Sequence, residues 1–221
     1  MSRLKLCVLI SGSGTNLQAL IDARASGRLE IDIVHVISNV ADAAGLERAR
    51  RAGIPCSVLE HGRFSDRDSY DRALSLLMGN GEPDLLVFAG FMRVVGTAVV
   101  DSYLGRMINL HPSLLPLYPG LDTYRRAIDA GDRQHGASVH FLTDQLDGGP
   151  VISQLRIPVL ADDSPRSLQQ RLAPEEHRLM VATVELFRQR RVEFRDDQVF
   201  FDQAPIEAPL VLGEDGSLYQ G

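Results

Sequence analysis

The sequence predicts an α/β fold of the Rossmann-like kind: a mostly parallel, twisted sheet with helices on both faces. Three observations predict it. The near-continuous apolar run at 4–10 reads as a strand of the type that a parallel sheet buries on both faces, and the runs at 31–38 and 84–89 read as further strands. Segments with helical spacing separate these runs, giving a repeated β-α order. The first strand runs into Ser-Gly-Ser-Gly-Thr-Asn at 11–16, followed by Leu17, Leu20 and Ile21 at helical spacing. Sheets of this kind have right-handed crossovers and bind ligands at the carboxyl ends of their strands.

At 221 residues the chain is long enough for one sizeable core, so a single domain over 1–221 is expected. Apolar residues make up 44% and charged residues 24%, which favours neither disorder nor a membrane protein. The apolar runs are far short of a bilayer span. Arg3 and Lys5 sit in an alternating pattern with no small-residue cleavage site after it, so no export signal is read and a cytoplasmic protein is expected. Cys7 and Cys56 fall in strands without metal spacing and are expected to be buried, reduced thiols. A net charge of −6 argues against a broad nucleic-acid face, while a small anion can still be held locally at a helix N-terminus.

The glycine loop at 11–16 offers backbone donors and a helix dipole to a phosphate. Leu17 stands where a third fingerprint glycine would be, and there is no Walker lysine, which counts against both NAD and ATP. The loop can also be read as a plain turn joining strand to helix. Beyond it, 42–52 reads as a short helix stopped by Gly53, and 56–59 as a strand. Ser65 and Asp68 resemble a capping box for a helix with Tyr70, Leu74 and Leu77 on one face. Gly-Phe-Met-Arg-Val-Val at 90–95 follows the strand at 84–89. Arg93 there either faces an acidic ligand or caps the sheet.

After a short helix at 97–103, a strand over 106–110 would place Asn109 and His111 on one face by its alternation. A small helix is expected over 122–130, and strands over 137–143 and 151–159 flank a glycine-rich turn that carries Asp147. A carboxylate beside an imidazole orients it and favours its charged form. Asn, His and Asp together suit chemistry at a carbonyl. Ser164-Pro165 starts a further helix. Pro174 should kink or break it, with Glu175 and Glu176 opening a fresh first turn. Two short β pieces are expected around Arg195-Asp-Asp.

His35, in the second strand, and His61, in a loop, each read as structural or solvated. His135, His140 and His177 lack metal-binding spacing, so no metal is expected. Spacing alone leaves His111 open between a catalytic and a core role. There is no Gly-x-Ser-x-Gly elbow, and neither cysteine has a base nearby in sequence.

Asn-Leu-His-Pro-Ser-Leu-Leu-Pro (109–116), Tyr-Pro-Gly-Leu (118–121), His-Gly-Ala-Ser-Val-His (135–140) and Leu-Asp-Gly-Gly-Pro-Val-Ile (146–152) closely resemble the glycinamide ribonucleotide formyltransferase family. So do Ile-Ser-Gly-Ser-Gly-Thr-Asn (10–16) and Ala-Gly-Phe-Met-Arg (89–93), and the resemblance covers nearly all of the chain except its last twenty or so residues. These are folate-dependent enzymes of de novo purine synthesis.

The resemblance implies a formyltransferase fold with a phosphate-binding half over 1–104, a catalytic and folate-binding half over 105–190, and a C-terminal extension over 191–221. It implies that Gly14, Thr15, Asn16 and Leu17 hold the ribonucleotide phosphate and that Glu176 contacts its sugar. Arg67, Met92, Arg93, Val94, Val95, Asn109 and Thr143, Asp144, Gln145, Leu146 and Asp147 match folate-binding positions, and Asn109, His111 and Asp147 match the catalytic trio. The implied co-substrate is 10-formyltetrahydrofolate, with no metal, nucleic acid or membrane partner, in a monomer or homodimer.

Leu117 departs from the basic residue that many relatives carry, and Ala173-Pro174 from more ordinary helix residues. Formyltetrahydrofolate deformylase and methionyl-tRNA formyltransferase share much of the pattern. They usually carry an extra domain for which this chain has no room, and the acidic balance disfavours tRNA. A binding module that kept the fold and lost the chemistry is the alternative from another class.

Overall fold

The computed structural model describes residues 3–221, which divide into two compact units after Asn109. In the first unit, strands β1 (Leu4–Ile10), β2 (Ile31–Ser38), β3 (Cys56–Val58) and β4 (Leu85–Phe88) alternate with helices α1 (Thr15–Ala25), α2 (Ala44–Arg51), α3 (Arg67–Met78) and α4 (Thr97–Ser102), and β5 (Met107–His111) begins here and runs on past Asn109. A single 3-10 turn, His61–Arg63, precedes α3. Strands pair in the order β5-β4-β1-β2-β3, every pair parallel. The central β1 buries Leu6 to Ile10 without a break, as expected of a strand covered on both faces. β5 carries the chain onward, with His111 at its last position.

In the second unit, α5 (Thr123–Asp129) leads to an antiparallel pair, β6 (Gln134–Phe141) and β7 (Val151–Pro158). Helix α6 (Pro165–Arg188) packs on both of these strands. Strands β8 (Val192–Arg195), β9 (Gln198–Phe201) and β10 (Ala204–Pro205) form a separate antiparallel sheet. The tail returns as β11 (Leu210–Leu212), parallel to β7, and β12 (Leu218–Tyr219), antiparallel to β11. Phe141 lies at the centre, with Phe187 and Phe194 edge-on at 5.8 and 5.2 Å between ring centroids.

The sheet and most helices follow the sequence pattern, with ends displaced by one to three residues. Two expectations are corrected. The cap of α3 is Asp66, not Ser65: its carboxylate accepts from Ser69 N–H at 2.7 Å, and Ser65 instead donates to Asp66. Pro174 does not break α6, which runs unbroken over 24 residues, so Glu176 lies mid-helix rather than in a new first turn.

The proline removes one N–H, but burial of Leu168, Leu172, Leu179, Met180 and Val184 on one stripe outweighs that loss, and Pro174 itself lies on the exposed side. Ser164 caps α6 through a reciprocal pair with Ser167 at 3.1 and 2.8 Å. Cys7 is buried, its thiol pushed up to about 12 by burial, while Cys56 is only half-buried. His35 is structural: Nδ1–H donates to Leu77 O at 3.1 Å, and Nε2 accepts from Ser57 at 2.9 Å.

Truncating Phe141 to Ala should cost about 3–5 kcal/mol in a urea melt. Leu76→Ala, at a position 77% exposed, should stay within about 0.5 kcal/mol. Equal losses would contradict this placement of the core.

Candidate active site

In the first unit, the turn after β1 is shaped for an anion. Gly14 caps α1 at φ 66°, and a Cβ there would lie 2.6 Å from the Cα of Gly45, so only glycine allows the α1 and α2 starts to approach this closely. No side chain caps α1. The first helical carbonyl bond goes from Gln18 N–H to Gly14 O at 2.9 Å, and the N–H groups of Thr15, Asn16 and Leu17 remain at the positive end of the helix dipole. Arg48 braces the turn by donating to Ser13 O at 2.8 Å. Asn16 is buried, with its Oδ1 unpartnered among the described residues.

The segment after β4 is tied to the same turn. Ser11 N–H donates to Gly90 O at 3.0 Å, and Met92 N–H donates to Ser11 Oγ at 2.7 Å. Met92 and Val94 are exposed and Val95 is buried. Arg93 stacks over Tyr70, 4.5 Å from its ring centroid, with a buried Nε that has no hydrogen-bond partner among the described residues. Arg67 reaches Val94 O at 3.4 Å and Asp71 at 3.5 Å. Five of the expected folate positions, Arg67 and the run 92–95, therefore share one neighbourhood.

On β5, Asn109 and His111 are two residues apart and share a strand face. His111 is buried. Its Nε2–H donates to Tyr118 O at 2.9 Å, and its Nδ1 lies 3.4 Å from Asp147 Oδ2. An imidazolium at His111 would thus have both N–H groups facing oxygen acceptors.

Asp147 has φ 49° in a turn where a Cβ on Gly149 would lie 1.9 Å from Phe141 O; the glycine lets the turn close. Gly120 N–H donates to Asp147 Oδ2 at 2.8 Å. The other oxygen, Oδ1, lies 3.7 Å from His140 Nε2. Thr143 is half-buried, and Asp144, Gln145 and Leu146 form the exposed crest of this turn. Glu176 is buried on α6 and accepts a hydrogen bond from Tyr124 at 3.1 Å. Among the described residues no three His, Cys, Asp or Glu gather to hold a metal, and no helix is long and apolar enough to cross a membrane.

A family model for formyl transferases matches residues 4–184. The chain belongs to the formyl transferase family. The phosphoribosylglycinamide formyltransferase of Escherichia coli K12 is 46% identical over 199 residues, which is 90% of this chain and 94% of that protein. The solved phosphoribosylglycinamide formyltransferase of Coxiella burnetii, in complex with CHES, superposes with a TM-score of 0.89 at 46% identity and covers 92% of this chain and 96% of its own. Glycinamide ribonucleotide transformylase 1 of Symbiobacterium toebii gives 0.87 at 40%, covering 90% and 94%.

For this formyltransferase, sequence reasoning missed the neighbours that hold the trio. His140, which by spacing groups with the histidines that lack a metal pattern, is buried beside Asp147. The available signal was alternation along β6, which puts Ser138 and His140 on one face just before the Asp147 turn. The Tyr118 carbonyl and the Gly120 N–H are backbone groups with no sequence signature.

Burial, opposed by a hydrogen bond to Phe141 O and by the Asp147 charge, pushes the His140 imidazole down to about 4, so it is neutral at pH 7. Nδ1–H donates to Phe141 O at 2.8 Å. As pH falls from about 6.5 toward 4, the unfolded chain binds a proton here that the folded chain refuses, and stability is lost. Urea midpoints over that window should fall less steeply for His140→Asn than for wild type; parallel slopes would contradict the buried neutral imidazole.

Proposed function

We propose that this protein transfers the formyl group of 10-formyltetrahydrofolate to the amine of N1-(5-phosphoribosyl)glycinamide, yielding the N-formyl product and tetrahydrofolate in de novo purine synthesis in the cytoplasm. The observation that carries the reading is His111 held between the Tyr118 carbonyl and the Asp147 carboxylate, with Asn109 on the same strand face.

The amine nitrogen attacks the formyl carbon, and the carbonyl oxygen becomes an oxyanion. Charge on His111 and the N–H donors of the Asn109 amide stabilise that oxygen, an effect worth roughly 3–4 kcal/mol for a preorganised donor. When the intermediate collapses, the bond from carbon to the folate nitrogen breaks. The proton lost by the attacking amine is passed to that nitrogen, with Asp147 as the relay group through water.

The backbone donors at Gly14, Thr15, Asn16 and Leu17 suit the phosphate, and Glu176 suits the sugar hydroxyls. Arg67, the 92–95 segment and the 143–147 turn are assigned to the folate. The exposed apolar side chains of Met92 and Val94 in the first unit support the assignment of the 92–95 segment, and that of Leu146 supports the assignment of its turn in the second, because each is apolar surface that a flat aromatic ligand can cover.

Purified protein supplied with formyl folate should release deformylated folate only when the ribonucleotide is present, with equimolar formylated amine. Folate release without the ribonucleotide would make water the acceptor. His111→Ala and Asp147→Asn should each lower kcat roughly 100-fold or more, with ribonucleotide binding kept within a few-fold. Near-wild-type turnover in either variant would overturn the assigned roles.

A further inference from the structure

The side chain that meets Glu176 comes from α5. Tyr124 donates its phenol O–H to Glu176 Oε1 at 3.1 Å, across the packed pair of helices α5 and α6. Glu176 is 8% exposed, and polar oxygens at that depth need hydrogen-bond partners. Tyr124 is fitted to be one. Burial, then the Glu176 charge and the hydrogen bond itself, raise the phenol's pKa, which keeps it a protonated donor.

The Tyr124 ring is fixed in turn by His135, with ring centroids 5.2 Å apart and planes tilted by 59°. His135 is buried at the start of β6, and burial lowers its pKa, so it packs as a neutral ring. A rigid phenol anchored on one helix therefore fixes one oxygen of a carboxylate on the next.

We propose that Tyr124 is a positioning residue for ribonucleotide recognition: its hydroxyl sets the rotamer of Glu176 so that the carboxylate meets the sugar hydroxyls of the acceptor. This rests on the reading of Glu176 as the sugar-contacting acid and names the residue that makes it specific. Tyr124 takes no part in the transfer of the formyl group. Its effect therefore falls on acceptor affinity and leaves folate affinity and the chemical step alone.

The test compares steady-state kinetics of the full chain as wild type, Tyr124→Phe, Glu176→Ala and the double variant, varying each substrate in turn. Phenylalanine keeps the ring against His135 and removes only the donor. Tyr124→Phe should raise the ribonucleotide KM roughly tenfold, the scale of one lost hydrogen bond to a charged group, with kcat and the folate KM within about twofold. In the Glu176→Ala background it should add nothing further.

A purely structural role would lower kcat and disturb the folate KM as well, and that outcome overturns the proposal. So does an unchanged ribonucleotide KM in Tyr124→Phe when Glu176→Ala raises it, or effects that multiply in the double variant. If Glu176→Ala itself leaves the ribonucleotide KM unchanged, the sugar-contact reading fails first and the proposal with it.

Discussion

The second unit is built around one carboxylate that cannot relax. Asp147 sits in a left-handed backbone conformation, in a turn closed by Gly149 against Phe141 O, with one oxygen held by Gly120 N–H and facing His111. A carboxylate on a free loop would swing into water, losing little energy and all of its direction. Here the backbone fixes it, and the penalty for a non-glycine residue at positive φ is carried by the surrounding fold. His140 completes the setting as a buried ring kept neutral by desolvation beside the same carboxylate.

The segment after β5 serves the same end. Ser138 accepts from Leu115 N–H at 3.1 Å and donates to Ser113 O at 2.7 Å, while Gln154 donates to Leu115 O at 2.8 Å. These buried bonds clamp the segment that ends at Tyr118, whose carbonyl accepts from His111. Buried polar groups with full partners hold a single geometry, because losing any one bond leaves another group unsatisfied. The imidazole is thus gripped at one nitrogen by a clamped carbonyl and at the other by a clamped carboxylate.

Much of this was legible in the sequence, because it depends on local rules. Alternation placed Asn109 and His111 together, continuous apolar runs marked the parallel strands, and the glycines at 148 and 149 announced a tight turn around Asp147. What sequence could not give was the placement of loop backbone groups: the Tyr118 carbonyl at His111 and the Gly120 amide at Asp147 depend on how the whole loop is held, while the Asp66 cap is local and was masked by Ser65, an equally good capping residue beside it. Pro174 misled for a different reason. Its cost is local, but the apolar stripe that keeps α6 whole spans the full helix. His140 looked ordinary because burial, which gives it its character, is a tertiary property.

The fold dedicates the Nε2–H of His111 to the Tyr118 carbonyl and turns Nδ1 toward Asp147. Nitrogen-15 NMR of the ring at neutral pH, assigned with His111→Ala, tests this most directly. Nε2 should carry a hydrogen, and the Nδ1 signal should move in Asp147→Asn. An Nε2 without hydrogen, or an Nδ1 signal indifferent to Asp147→Asn, would contradict it.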